Sequence, residues 1–189
     1  MFFKRKKDKA IPIIIATDSI VMLASAMLAP IYALFVKDIG GSLLDASIVG
    51  AVFALAAGFT SLISGKLTDK IKEKEYIVVV GYLCIGIGFV LLTFAQSIWF
   101  LFVVQLFTGF GNALYGPAFD TLFSKHTNKH HAATQWGACW SMSYFTIAIG
   151  ALAGGLIATW FGFATLFIIM ALLCFGSAIY IFFLPKKVL

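Results

Sequence analysis

Asp18 stands in a run of apolar residues, and its position there poses a question of chemistry. Side chains three, four and seven residues apart share one face of a helix, so Asp18, Met22, Ser25, Ala29 and Tyr32 fall on one stripe. Gln105, Gly109, Asn112, Gly116 and Asp120 form a second stripe in a later apolar stretch. In lipid, polar groups on apolar helices must face a protein interior or a water-filled cavity. Asp18 lies seven residues beyond Ile11, about 10 Å into such a helix at a rise of 1.5 Å per residue. A carboxylate at that depth is costly to keep charged unless it is paired, which suits a group that takes up and releases a proton. The competing reading is a neutral Asp hydrogen-bonded to neighbouring helices for packing. Asp120, near the end of its stretch, also reads as an interfacial residue that anchors a loop.

The elements that must position these residues follow from composition. The chain has 189 residues, 61% hydrophobic and 12% charged, with a mean hydropathy of +1.00. A soluble domain carries roughly a quarter charged residues, so this is a membrane protein. One crossing needs ~20 apolar residues, which leaves space for about six crossings and none for a soluble catalytic domain. An enzyme and a bound cofactor are therefore not expected. Charged residues and breakers delimit six apolar stretches, about 11–36, 43–65, 76–95, 98–123, 134–158 and 162–184. They lie between a basic N-terminus, residues 1–10, and a short tail, residues 185–189. Lys4 to Lys9 and Ala24-Ser25-Ala26 resemble parts of a signal peptide, but Asp18 interrupts the core and the apolar run continues to Val36, which favours a retained helix.

Every lysine and arginine except Lys37 falls at the N-terminus, in the connections 66–75 and 124–133, or in the tail. The positive-inside rule then places both termini in the cytoplasm, in a plasma (inner) membrane protein. The same asymmetry explains the net charge of +6 without nucleic acid, and Lys4-Arg5-Lys6-Lys7 would rest on anionic headgroups. No Asn-Pro pair is present for a water channel of paired half-helices, and all three histidines fall in the 125–131 segment, away from any intramembrane serine. Cys84, Cys139 and Cys174 lie singly in apolar runs and read as small hydrophobes, and His126, His130 and His131 form no tight ligand set, so no metal is expected. Trp136, Trp140 and Tyr144 share a face that reads as an interfacial anchor, with a substrate-stacking wall as the alternative.

The segment Gly65-Lys66-Leu67-Thr68-Asp69-Lys70-Ile71-Lys72-Glu73-Lys74 resembles the signature loop between helices 2 and 3 of the major facilitator superfamily, a Gly-x-Leu-x-Asp-Arg/Lys-x-Gly-Arg/Lys-Arg/Lys pattern. Gly65, Leu67, Asp69, Lys70 and Lys74 fit it; Lys72 and Glu73 depart from it. Asp18 and Pro30 are similar to the acid and proline of helix 1 in the family's proton-coupled drug and tetracycline exporters. Gly150-Ala151-Leu152-Ala153-Gly154-Gly155 resembles the antiporters' Gly-Pro-x-x-Gly-Gly stretch, with Ala151 in place of the proline. Gly109-Phe110-Gly111 matches a family glycine pair, whereas Gln105 stands where many members carry an arginine. The twelve-residue spacing from Asp18 to Pro30 recurs from Gln105 to Pro117, as the family's 3+3 inverted repeat would have it. The resemblance implies an all-α bundle of six transmembrane helices, half of the family's usual twelve. It also implies a gate at the 65–74 loop and a pathway lined by Asp18, Ser25, Tyr32, Gln105, Asn112 and Asp120.

Gly50, Ala54 and Gly58 recur every fourth residue, as do Gly150 and Gly154 with Gly155 adjacent, and small residues at this spacing let helices approach closely. In the family, helices 2 and 5 meet the other half of the molecule. These glycines are accordingly expected at helix-packing or dimer contacts, with Asp69 at the N-terminus of a partner helix near Thr134, where the helix dipole favours a negative charge. The expected protein is half of a secondary transporter that pairs with a second copy and exports amphipathic organic compounds by proton antiport through alternating access. The alternatives are pairing with a different six-span half, or a non-transporting membrane partner or truncated gene product.

Overall fold

The structure is a computed structural model and describes residues 10–185, so the 1–9 part of the basic N-terminus and Lys186 to Leu189 of the tail lie outside the described residues. Apart from two short 3-10 turns the regular elements are α-helices: α1 (Ala10–Leu28), α2 (Tyr32–Asp38), α3 (Leu43–Lys70), α4 (Lys74–Leu92), α5 (Ile98–His126) and α6 (Ala132–Phe182). Among the described residues there is no strand. With α1 and α2 taken as one bent rod, five helical stretches among the described residues are long and apolar enough to cross a membrane.

Local chemistry sets the ends of these helices. Pro30 has no N–H to donate and crowds the preceding turn, so α1 gives way at Leu28 to a 3-10 turn, Ala29–Ile31, before α2 resumes. Gly40, at φ 85°, supplies the left-handed residue that ends α2. Ser42 and Asp45 then form a reciprocal capping box at the start of α3, with the Ser42 N–H donating to the Asp45 carboxylate at 2.7 Å. Ser97 caps α5 through the Phe100 N–H. The second apolar stretch was expected to end near residue 65, yet α3 stays helical to Lys70. At 1.5 Å per residue its 28 residues span about 42 Å against a hydrocarbon core of ~30 Å, so its charged end projects beyond the apolar layer.

The fifth and sixth stretches differ most from expectation. No loop separates them; α6 is two helical arms, 132–161 and 163–182, joined at Gly162, where φ 80° and ψ 170° lie outside the helical region. Contacts along its two arms show what this break does. Early in α6, Trp136 packs on Phe123 of α5 with ring centroids 4.6 Å apart. Just past Gly162, Phe163 and Phe167 pack on Phe35 of α2 at 5.2 and 4.8 Å, and at the far end Phe182 reaches Tyr76 at the start of α4. The glycine contacts between α4 and α5 pair Gly88 with Thr108 and Gly81 with Tyr115, so these helices are antiparallel and the Tyr76 and Phe123 ends coincide. Both ends of α6 therefore lie at one end of the bundle, and the chain reverses at Gly162.

Glycine spacing brings the helices together. A Cβ at Gly154 would overlap the Met27 carbonyl, and one at Gly150 would lie 2.9 Å from the Leu23 carbonyl, so the first arm of α6 rests directly on the α1 backbone. Gly109 and Gly111 face opposite ways: a Cβ on the first would meet the Phe53 carbonyl of α3 at 2.7 Å, and one on the second Cys84 of α4 at 2.6 Å. This pair lets α5 wedge between two neighbours. The core between the helices is aliphatic and aromatic, with Tyr82, Phe123, Leu166 and Phe167 among its fully covered side chains.

Candidate functional site

Two polar regions lie on facing surfaces of α1, α2 and α5. The first is a partly open hollow of about 310 Å³ with Ser25, Tyr32, Gln105, Thr108 and Asn112 on its wall and Phe53 and Phe89 among its apolar lining. Gln105 Nε2 donates to the Tyr32 hydroxyl at 3.0 Å, and the Thr108 hydroxyl donates to Gln105 Oε1 at 3.0 Å. This chain of bonds ties α2 to α5 across the hollow. Ser25 returns its proton to the Val21 carbonyl of its own helix at 3.2 Å. Four of the six expected pathway residues, Ser25, Tyr32, Gln105 and Asn112, are thus brought to one hollow.

Asp18 and Asp120 belong to the second region and do not line the hollow. Asp18 is 6% exposed. Its electrostatic neighbours come from three other helices: Tyr82 of α4, Tyr115 and Asp120 of α5, and Cys139 of α6. None is basic. The Tyr82 hydroxyl lies beside Asp18, is fully covered, and meets no partner in hydrogen-bonding geometry. Asp120 is more exposed than Asp18 and forms the outer edge of the cluster. Since α1 and α5 run in opposite directions, Tyr32 with Gln105, Ser25 with Asn112, and Asp18 with Asp120 form three polar levels at steps of seven or eight residues, about 10–12 Å each.

The 65–74 segment consists of the last turns of α3 and a three-residue connection, Ile71 to Glu73, before α4. Lys74 does not point to solvent. Its Nζ donates to the Thr68 and Ile71 carbonyls at 2.9 and 3.0 Å, which satisfies acceptors left open at the end of α3. Asp69 and Lys70 are exposed, Leu67 is 42% exposed, and Gly65 has open space where a Cβ would stand. The carboxylate at 69 is therefore presented outward from the bundle.

The two glycine groups, expected together at helix-packing or dimer contacts, separate in the structure. Gly150 and Gly154 are spent on α1 within the chain, so of the fifth-stretch group only Gly155 faces open space. Gly50 borders the hollow, and a Cβ at Gly50 or Gly58 would meet nothing. Ala54 is exposed on the same side. Of the three aromatics assigned one face, Trp136 packs inward on Phe123 while Trp140 and Tyr144 are exposed.

Three further groups emerge only from packing: Tyr82, Tyr115 and Ser64. The Ser64 hydroxyl donates to the Ala113 carbonyl of α5 at 2.6 Å, a buried bond between helices distant in sequence. Pro117 explains the acceptor. In an unbroken helix the Ala113 carbonyl receives the N–H of residue 117, which proline lacks, so Ser64 supplies the missing donor. Pro117 was visible in the sequence, but no local signal pairs it with Ser64.

Apolar helices that enclose a polar hollow and a buried acid define an integral membrane bundle with a polar interior. The Major Facilitator Superfamily pattern matches residues 16–188. The chain belongs to the major facilitator superfamily; it is an integral membrane protein of a family of transporters, not an enzyme. It is 24% identical over 180 residues to the multidrug resistance protein MdtG of Enterobacter lignolyticus, covering 93% of this chain and 43% of that protein. It is 26% identical over 185 residues to the MdtG of Serratia proteamaculans, with 95% and 44% covered. It is also 26% identical over 157 residues to the uncharacterized MFS-type transporter MJ1560 of Methanocaldococcus jannaschii, with 83% and 40% covered. The chain spans less than half the length of these relatives. Among solved structures, the POT family transporter PepTSo superposes with a TM-score of 0.76 at 20% identity, over 94% of this chain and 37% of that one. That likeness concerns the fold.

Proposed function

We propose that this chain is one half of a secondary transporter of the inner membrane. It crosses the bilayer six times with both termini in the cytoplasm, pairs with a second copy about an axis along the membrane normal, and exports small amphipathic organic compounds in exchange for protons. The reversal at Gly162 supports six crossings, because it returns the second arm of α6 to the end of the bundle at which the first began. The observation that carries the reading is the hollow. It joins hydrogen-bonding groups to phenylalanine and aliphatic walls, which suits a solute with both characters, and a single bundle leaves it partly open. A second copy would close it. The outward-facing Gly50, Ala54, Gly58 and Gly155, together with Asp69, form the surface offered to that copy, and rocking of one copy against the other is the alternating-access step. Asp18 is the proton-exchanging residue in this scheme. The names of the multidrug relatives suggest the substrate class.

The test is reconstitution of the purified chain into vesicles with an imposed pH gradient and a fluorescent amphipathic cation. Proton-driven movement of the dye is expected for the native chain and not for Asp18→Asn, with the particle mass in lipid nanodiscs equal to two chains for both. Undiminished coupled transport by Asp18→Asn removes Asp18 from the mechanism, and a single-chain mass for a transporting particle removes the pairing.

A further inference from the structure

The acidic region contains a feature that the transport reading leaves unused: Tyr82 is fully covered on α4, and its hydroxyl lies beside Asp18 with no partner in hydrogen-bonding geometry. Leaving a hydroxyl dry and unbonded is costly, so a covered phenol of this kind calls for a partner within reach. The surroundings identify that partner. Asp18 faces Tyr82 from α4, Tyr115 and Asp120 from α5, and Cys139 from α6, while Cys174 of α6 lies by the two tyrosines. Thr17 of α1 also lies by the Tyr82 hydroxyl; its own hydroxyl donates to the Ile13 and Ile14 carbonyls at 3.0 and 3.1 Å, so toward Tyr82 it can only accept. No lysine or arginine is in this set. A charged Asp18 must therefore draw its stabilisation from neutral donors, and a phenol can give one hydrogen bond or accept one.

We infer that Tyr82 is a positioning residue for Asp18: its hydroxyl donates to the carboxylate when Asp18 is charged and accepts from the carboxyl when Asp18 is protonated. The proton itself passes between Asp18 and water at the Asp120 edge of the cluster, and Tyr82 keeps its own throughout. Such a partner holds the Asp18 side chain on the α1–α4 side in both states, so that loss or gain of the proton changes the hydrogen bond in place and need not swing the side chain into the hollow. The inference rests on the proposed role of Asp18 as the proton-exchanging residue.

The experiment is infrared difference spectroscopy of the intact chain in lipid, between acid and alkaline buffer. The native protein should show a protonated-carboxyl C=O band that is missing in Asp18→Asn. In Tyr82→Phe, which keeps the ring and its packing, that band should persist but move to higher wavenumber, as the C=O band of a carboxyl whose O–H has lost its acceptor does. Tyr115→Phe should leave it in place. The pH profile of dye transport should also shift in Tyr82→Phe, with the particle mass unchanged. If no carboxyl band depends on Asp18, the proton-exchanging role fails and this inference with it. If the band is present but unmoved in Tyr82→Phe, or moves only in Tyr115→Phe, the inference alone is overturned.

Discussion

Ser64 offers a quantitative test of how this bundle is held together, because the need for its hydrogen bond is created by a proline on another helix, Pro117 of α5. Ser64 is 1% exposed and donates to the Ala113 carbonyl at 2.6 Å. An average interhelical hydrogen bond in a membrane protein contributes only ~0.6 kcal/mol, since the acceptor usually has other partners. Here it does not have its usual one: Pro117 removes the helical N–H that would otherwise reach this oxygen. Ser64→Ala should therefore cost more than the average, about 1–2 kcal/mol, the range for a buried acceptor left unsatisfied. Pro117→Ala restores the helical donor, and in that background Ser64→Ala should cost about 0.5 kcal/mol or less, close to the membrane average. The double-mutant cycle thus predicts a coupling of about 1 kcal/mol between two residues that need not touch. The assay is equilibrium unfolding in mixed lipid–detergent micelles titrated with dodecyl sulfate and followed by circular dichroism, with all four proteins in one preparation. Equal costs for Ser64→Ala in both backgrounds would refute the reasoning, because the carbonyl would then not have depended on Pro117.

Two further predictions separate packing within the chain from pairing between chains. Gly154→Ala should destabilise the fold by about 3 kcal/mol, the upper end of the range for overpacking, because the added Cβ meets the backbone carbonyl of Met27 and not a movable side chain; the same unfolding titration measures it. Gly58→Leu and Gly155→Leu, by contrast, should leave that titration within about 0.5 kcal/mol of the native chain, as befits substitutions into open space. They should lower the two-chain fraction counted by mass in nanodiscs, and a retained two-chain mass in the double variant would move the proposed contact elsewhere.

Much of this was legible in one dimension. Long apolar runs required helices in a membrane, because lipid offers no partner to an exposed backbone group. The stripes on the first and fourth stretches were also legible, since helical period alone places Asp18, Ser25 and Tyr32 on one face and Gln105, Asn112 and Asp120 on another. The fifth and sixth stretches were read as ending and starting around 159–161; in the structure those residues are helical and one glycine beside them, Gly162, in a conformation closed to other residues, reverses the chain. The glycine repeats were legible as contact surfaces but not as to their partner, because spacing states how closely a helix can be approached and not what approaches it.

The sequence by itself determined that this protein is a bundle of membrane helices with an acid and a row of hydrogen-bonding groups in its interior, and it carried the family signature. Both properties depend on residue type and on the period of a single helix. Only the tertiary structure decided that these groups divide into a hollow at Tyr32 and Gln105 and an acidic cluster at Asp18 and Asp120. It also decided that Tyr82 faces Asp18, that Ser64 satisfies the carbonyl freed by Pro117, and that Gly150 and Gly154 pack on α1. Each of these depends on the rotation and register of one helix against another. In a membrane those are set by close packing of small residues and by single hydrogen bonds between distant helices, which leave no periodic trace in either partner.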